Sequence, residues 1–288
     1  MQMLVVNEDY EVNIIDFSNG NINSLEVGIE EYCRKENKTL LLVEKNCGKT
    51  SVVAISGQGR DIILRTDMDV ADSPVFVDGV LYFIAKDNSF KEEISIPYSN
   101  YEGWFMYKYA NGNIQKAYTN EIDHISPIIA HDESLFVVER IKNNDSENTK
   151  IYSIISYDTN TEKAEIICNG RKPCWIEQGN SFLCVVNDQY VRSWSGAIVN
   201  IKTKDIVLLK EQFDYSMPAV IKNNKMFYWD DDITKPWMSE STVPTIVDLV
   251  SFEKNSVKKY QGVARRLFGE ESFEDLFYDS VYCEWIEQ

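Results

Sequence analysis

The side chains in this sequence best suited to chemistry are carboxylates standing a few residues ahead of prolines. Asp67, Asp69 and Asp72 precede Pro74, Asp123 precedes Pro127, and Asp214 precedes Pro218. Converging carboxylates can bind Ca²⁺, or divide the acid and base work of a glycosidase or lactonase. Aspartate is also the ordinary residue for turning a chain into a strand, because its side chain hydrogen-bonds nearby backbone. Nucleophilic schemes are poorly supplied. The chain has two histidines, His124 and His131, on either side of a predicted strand, and no Gly-x-Ser-x-Gly, His-Glu-x-x-His or Gly-x-Gly-x-x-Gly pattern. Both imidazoles are expected to be solvated, the first in a connection and the second in a hairpin turn. Cys47-Gly48-Lys49-Thr50 copies the tail of a phosphate-binding loop, but Val43 stands where that loop needs its first glycine, so a plain turn is predicted. The six cysteines form no Cys-x-x-Cys pair, and several sit in apolar runs such as Phe182-Leu183-Cys184-Val185-Val186. Buried free thiols are expected rather than disulfides or zinc ligands. No metal and no cofactor is expected.

The elements that must position these groups are announced by a repeat. Four segments open with proline, run through a short apolar strand, turn on Asp, Gly or Asn, and return as a second apolar strand. They are Ser73-Pro74 to Ile84, Ser126-Pro127 to Val138, Lys172-Pro173 to Val185 and Met217-Pro218 to Trp229. Proline is tolerated at the first position of a strand, where its missing N–H costs least, so it marks where each innermost strand begins. A second hairpin follows each copy, as in Trp104 to Tyr109, the turn Asn111-Gly112-Asn113, and Ile114 to Thr119. Two hairpins in some 45 residues make four antiparallel strands, the size of one propeller blade. Glu30 to Thr66 reads as a degenerate blade without the proline. Leu4 to Val27 supplies three strands, and Ser280 to Ile286 can supply the fourth, so that both ends of the chain share one blade and close the ring. Acidic residues followed by apolar ones at helical spacing, Glu270 to Phe277, predict one short C-terminal helix ahead of the closing strand.

The expected fold is therefore all-β: a six-bladed β-propeller in a single domain of residues 1–288. Pro74, Phe76, Asp78-Gly79 and the strand Leu81-Tyr82-Phe83 resemble the signature of TolB-like six-bladed propellers, and the likeness covers four blades. That resemblance implies a fold and is nearly silent on function, since propellers serve as enzymes, receptors and scaffolds alike.

The formal charge of −17 disfavours nucleic acid and anionic membrane as partners and favours a basic protein or a cation. No apolar run is long enough to span a bilayer, and Met1 to Asp9 lacks the basic start and apolar stretch of a signal peptide, so a cytosolic location is expected. Loop length is the strongest functional signal. Between the second and third strands of the four clear blades the connections are long, and they share one face with the aspartate-bearing inter-blade loops. The expected partner-binding residues lie there: Asp69 and Asp72; Glu92, Glu93 and Tyr101; Asp145; Asp188, Tyr190 and Trp194; and Asp230, Asp231, Asp232 and Trp237. Aromatic anchors within a ring of acids suit a basic protein. Acidic charge, cytosolic address and a Lys/Asn/Ile-rich composition resemble propeller-type immunity proteins of contact-dependent growth-inhibition systems. That resemblance implies a protein without enzymatic activity that neutralises a basic toxin domain, such as a nuclease, as a monomer in a 1:1 complex. A Ca²⁺-dependent or carboxylate-pair enzyme acting on a sugar or lactone, and an intracellular scaffold, are the alternatives.

Overall fold

The computed structural model describes residues 2–7, 10–16, 21–71, 73–89, 102–141, 151–176, 181–188, 193–208, 220–222, 225–231, 242–248 and 280–286, with backbone alone for most of the later strands. It is mostly β. The chain divides into two compact units, one of residues 1–38, 174–183 and 188–288, the other of residues 39–173 and 184–187.

In the second unit, three antiparallel sheets follow one another along the chain. The first holds β4 (Thr39–Asn46), β5 (Lys49–Ser56) and β6 (Gly59–Thr66). The next holds β7 (Val75–Val77), β8 (Val80–Lys86), β9 (Trp104–Ala110) and β10 (Asn113–Lys116). The last holds β11 (Ile129–His131), β12 (Ser134–Ile141), β13 (Ile151–Asp158) and β14 (Lys163–Asn169). Hairpin turns join them where the sequence puts Asp-Gly and Asn-Gly. Asp78 and Gly79 have φ of 49° and 78°, and Asn111 and Gly112 have 52° and 81°. Two successive positive φ values match the twist of the flanking strands, which is why these residue pairs occupy the turns. Cys47 and Gly48 adopt the same conformation, with φ of 49° and 76°, between β4 and β5. The tail of the supposed phosphate loop is thus a two-residue hairpin turn, as predicted. Cys33 and Cys168 are buried free thiols, whereas Cys47 is exposed at that turn, against the expectation for the cysteines.

Strand β8 shows how the sheets pack. Its residues Leu81 to Ala85 are all buried, and they sort by parity. Tyr82 and Ile84 join a core with Trp104, Met106, Leu135, Val137, Ile155 and Tyr157. Leu81, Phe83 and Ala85 join another with Val52, Leu64, Val70 and Tyr107. Alternate side chains leave a strand on opposite faces, so the β7–β10 sheet is covered on both faces by its two neighbours. A two-layer sandwich would leave one face open. The continuous apolar run of β8 follows from double burial.

The other unit carries β1 (Gln2–Asn7), β2 (Glu11–Asp16) and β3 (Asn21–Gly28), joined on the far edge of β1 by β22 (Ser280–Ile286) in the order β22-β1-β2-β3. The β1–β22 register runs antiparallel from Gln2↔Ile286 to Val6↔Tyr282, so the C-terminal segment supplies the strand the N-terminal sequence lacks. β19 (Val220–Lys222), β20 (Lys225–Asp231) and β21 (Thr242–Asp248) form a three-stranded sheet, with β19 beside β22. β15 (Arg171–Ile176), β16 (Ser181–Asp188), β17 (Ser193–Asn200) and β18 (Ile206–Leu208) form a further four-stranded sheet.

One helix differs from the expected strand pattern. α1 (Ile29–Glu36) occupies the opening of the stretch read as a degenerate blade. Glu30 and Glu31 stand in its first turn and Arg34 and Lys35 in its last, complementing the helix dipole, while Ile29, Tyr32 and Cys33 form its buried face. Asn37, with φ 51°, ends it in a left-handed cap, and the Lys38 N–H donates to Cys33 O at 3.0 Å. The helix expected at 270–277 lies outside the described residues. Among those residues no helix is long and apolar enough to cross a membrane.

Candidate functional site

Inter-blade segments of the second unit run back along the strand ends of the sheets they connect. Lys86 N–H donates to Asp69 O and Arg140 N–H to Glu121 O, both at 2.8 Å. Ala71 N–H donates to Ile84 O at 2.9 Å and Asp123 N–H to Val138 O at 2.8 Å. Asp69 and Glu121 are therefore equivalent positions, as are Ala71 and Asp123. The segment after β10 also reaches the start of the third strand of the sheet it leaves, through Ile122 N–H to Trp104 O at 2.8 Å, and Gly170 after β14 does the same, through its N–H to Tyr152 O at 2.9 Å. This end of the sheets is also where β8 and β12 stop and β9 and β13 begin, so the long second-to-third-strand connections arise beside the inter-blade segments.

Beneath that end lies a charged cluster centred on Asp123, which is 3% exposed. Arg171 grips its carboxylate with both arms, Nε to Oδ2 at 2.9 Å and Nη2 to Oδ1 at 3.0 Å. The Ser126 hydroxyl donates to Oδ2 at 2.7 Å and accepts the Lys172 N–H at 3.1 Å. The Arg171 guanidinium also lies 4.2 Å from the centre of the Tyr152 ring. Nearby, the buried side chain of Arg140 has Glu102 at 3.7 Å and Glu121 at 4.0 Å. Glu139 accepts from Tyr118 Oη at 3.2 Å and from the Asn120 amide. Burial and the Glu139 charge push the Tyr118 phenol up to about 12. His124 stacks on Trp104, with centroids 4.2 Å apart and planes 10° off parallel. Burial lowers its pKa, and the positive charges of Arg140 and Arg171 add to the effect against the opposing pull of Asp123 and Asp69. His124 is thus a neutral, packed ring and not a solvated one.

Asp123, His124 and Ser126 have the side chains of a hydrolytic triad without its geometry. The Ser126 hydroxyl is directed at Asp123 and is 1% exposed, so it offers no open nucleophile. Serine before proline has a structural role in two blades. The Ser73 hydroxyl accepts the Ile128 N–H at 3.3 Å, as that of Ser126 accepts Lys172, which ties each proline-led segment to the next.

At the root of the 87–103 connection, Asp87 N–H donates to Gly103 O at 2.8 Å. The Asp87 carboxylate accepts from Ser89 Oγ at 2.6 Å and Lys116 Nζ at 3.0 Å, and these bonds lower its pKa to about 2.

Of the expected partner-binding residues, Asp69 is on the described loop end, its half-exposed carboxylate 2.8 Å from Lys45 Nζ. Asp188 ends β16, Trp194 lies at the start of β17, and Asp230 and Asp231 end β20, so these four backbone positions bound the connections expected to carry recognition. Asp72, Glu92, Glu93, Tyr101, Asp145, Tyr190, Asp232 and Trp237 lie outside the described residues, as does Asp214. Convergence of Asp69, Asp123 and Asp214, which would favour the alternative carboxylate enzyme, meets two members already engaged, Asp69 by Lys45 and Asp123 by Arg171. Among the described residues no three His, Cys, Asp or Glu side chains come together as metal ligands. Sequence reasoning missed Arg171, Arg140 and Trp104. The signal for the first was faint: a basic residue two positions before Pro173, whose partner lies 48 residues upstream.

No family model matches the chain, and no curated protein matches it in sequence. Its fold is similar to that of TolB from Acinetobacter baumannii, with a TM-score of 0.58 and 11% identity over 87% of this chain and 61% of that one. It is also similar to the β-propeller domain of the Trilobed protease from Pyrococcus furiosus, described as having an open velcro topology, with a TM-score of 0.50 and 12% identity over 86% and 78% of the two chains. A puromycin-hydrolyzing peptidase of Mycobacterium tuberculosis aligns with a TM-score of 0.49 and 11% identity over 87% of this chain and 36% of that one. The chain thus spans about three fifths of TolB and about a third of the peptidase. The first two likenesses show a β-propeller fold. One expectation is corrected: the exclusion of enzymatic activity does not stand, because a propeller similar to this chain occurs in an enzyme, the Trilobed protease. At 11–12% identity the three structures assign no reaction to it.

Proposed function

We propose that the chain is an acidic six-bladed β-propeller, closed by the β22–β1 pairing, whose loop end binds a basic protein. One arrangement carries the reading. The hydrogen bonds from Lys86 to Asp69 O and from Arg140 to Glu121 O set acid-bearing inter-blade segments against the roots of two long connections. The formal charge of −17 supplies long-range attraction for a basic surface, and long loops on a rigid sheet scaffold are the usual site of recognition. Arg140, Arg171 and Lys45 neutralise part of the acid at this end. In this reading the surplus comes from Glu92, Glu93, Asp145 and Asp232 of the connections.

In its most specific form the proposal makes the chain a cytosolic immunity protein, one copy covering the active-site cleft of one basic toxin domain such as a nuclease. Carboxylates then stand in for phosphates against Lys and Arg. Fold and charge support this form. The neighbouring open reading frame is expected to encode a large secreted protein with a basic C-terminal domain, which is the partner to test first. Its association rate with the purified protein is expected to fall steeply as salt rises, and to drop when Glu92 and Glu93 become Gln. A rate indifferent to both overturns the proposal.

A further inference from the structure

A connection that recognises a partner gains from a fixed root, and the root of the 87–103 connection carries a device of its own. On Oδ1, the Asp87 carboxylate accepts the Ser89 N–H at 3.0 Å and the Ser89 hydroxyl at 2.6 Å, which closes a turn over residues 87–89. On Oδ2 it accepts from Lys116 Nζ at 3.0 Å. The Asp87 N–H donates to Gly103 O, so the two ends of the connection are joined at the same residue. Lys116 is the last residue of β10, the outer strand of the sheet, 29 positions along the chain from Asp87.

The lysine reaches Asp87 across β9. Lys116 is paired with Tyr107, and residues opposite one another on antiparallel strands face the same way, as do residues two apart on one strand. Lys116, Tyr107 and Phe105 therefore share a face. Lys116 Nζ lies 3.5 Å from the centre of the Phe105 ring and 5.8 Å from that of Tyr107, and an aromatic face attracts an ammonium. Burial and the Asp87 charge push the Tyr107 phenol up to about 12, so it stays protonated beside that carboxylate. An exposed ion pair by itself contributes little. This pair is mostly buried, with side-chain exposures of 33% and 25%, and its cation is held by a ring as well. The neighbouring sheet differs: the bridges Val70↔Ala85 and Ile122↔Glu139 make Asp87 the counterpart of Ile141, which has no charge to offer.

We propose that Lys116 is a positioning residue of the loop end: its ammonium clasps the root of the 87–103 connection and so sets the geometry in which a basic protein is met. Lys116 acts through Asp87 and Phe105 and does not itself meet the partner. The role in binding rests on the loop-end reading given above, whereas the clasp is a property of the chain alone. The sign of the effect separates positioning from charge. Loss of the lysine makes an acidic chain more acidic, which by electrostatics alone strengthens attraction to a basic partner. Loss of a fixed root weakens binding, because the partner must then order it.

Two measurements on the full chain test it. Lys116→Met keeps the apolar stem and removes the charge. In amide hydrogen exchange it is expected to speed exchange at the Asp87 and Ser89 N–H groups about tenfold and to leave the Asp123 N–H, bonded in the neighbouring sheet, unchanged. Lys116→Arg is expected to restore protection. Against the basic C-terminal domain named above, Lys116→Met is expected to bind about fivefold more weakly, and Lys116→Arg as the wild type does. Unchanged exchange at Asp87 and Ser89 overturns the clasp whatever the partner does. Faster exchange with equal or tighter binding of Lys116→Met overturns the positioning role. A domain that fails to bind the wild type overturns the loop-end reading and the positioning role with it, and the exchange result then stands for the clasp alone.

Discussion

Asp123 and Arg171 come from segments 48 residues apart and meet in a bidentate pair that a fully buried serine completes. Removing one member of a buried ion pair costs more than the pair contributes, because the other charge stays behind in a poor solvent. Asp123→Ala is therefore expected to lower stability by about 3 kcal/mol. Ser126→Ala leaves the Lys172 N–H without its acceptor and is expected to cost about 1 kcal/mol. The two effects should fall short of additive, since both side chains act on one network. Urea unfolding midpoints check the order. If Ser126→Ala proves the more damaging, the pair is not the anchor of this end. His124 gives a pH dependence. Its folded pKa lies below the unfolded value near 6.5, so the unfolded chain binds the proton first. Stability is then complete above about pH 6.5 and falls as the pH drops through the folded pKa. His124→Phe, which keeps a ring on Trp104, is expected to flatten the decline below about pH 6.5. An unchanged slope would place the titration elsewhere.

At the scale of elements, the turns test the link between local sequence and fold. Cys47 occupies a left-handed position that asparagine adopts more readily, at a hairpin turn where Asn-Gly is the favoured pair. Cys47→Asn is expected to raise the unfolding midpoint by an amount equivalent to about 0.5 kcal/mol. Thermal melts with and without ATP check both parts: the nucleotide should shift neither protein, and stabilisation by ATP would revive the phosphate-loop reading. Turn chemistry of this kind is local, which is why the hairpins at Asp78-Gly79 and Asn111-Gly112 could be read from the sequence. So could the proline-led strands β7, β11 and β19, which begin one or two residues after their prolines, whereas β15 begins two residues before Pro173. Helix α1 carried a readable signal in its acidic opening, basic close and the spacing of Ile29, Tyr32 and Cys33. The strand-rich residues around it outweighed eight of helix. The charged cluster was not legible in the same way. Asp123 looks like any turn aspartate until the register of two blades brings Arg171 to it. Trp104 and His124 likewise meet only once β9 and the inter-blade segment share an end.

The whole molecule depends on a pairing that chain order alone would never suggest. β22 lies against β1 although the two come from opposite ends of the sequence, with Gln2 facing Ile286. β1 is an interior strand of its sheet, and residues Met3 to Val6 are fully buried. Without β22 it would present an open apolar edge, the usual template for aggregation. A direct peptide bond from Gln288 to Met1 leaves Glu287, Gln288 and Met1 as a three-residue connection between β22 and β1, a common hairpin length. New termini can be opened between Cys47 and Gly48, at an exposed turn where cutting removes no core contact. This circular permutant is expected to fold with a circular dichroism spectrum and an unfolding midpoint close to those of the natural order. A chain that ends before Ser280 is expected to aggregate or to lose its cooperative transition. If the truncated chain unfolds as cooperatively as the full one, β22 contributes nothing to the sheet. If the permutant fails while a chain merely nicked at Cys47-Gly48 folds, the ends do not meet as Gln2 and Ile286 place them.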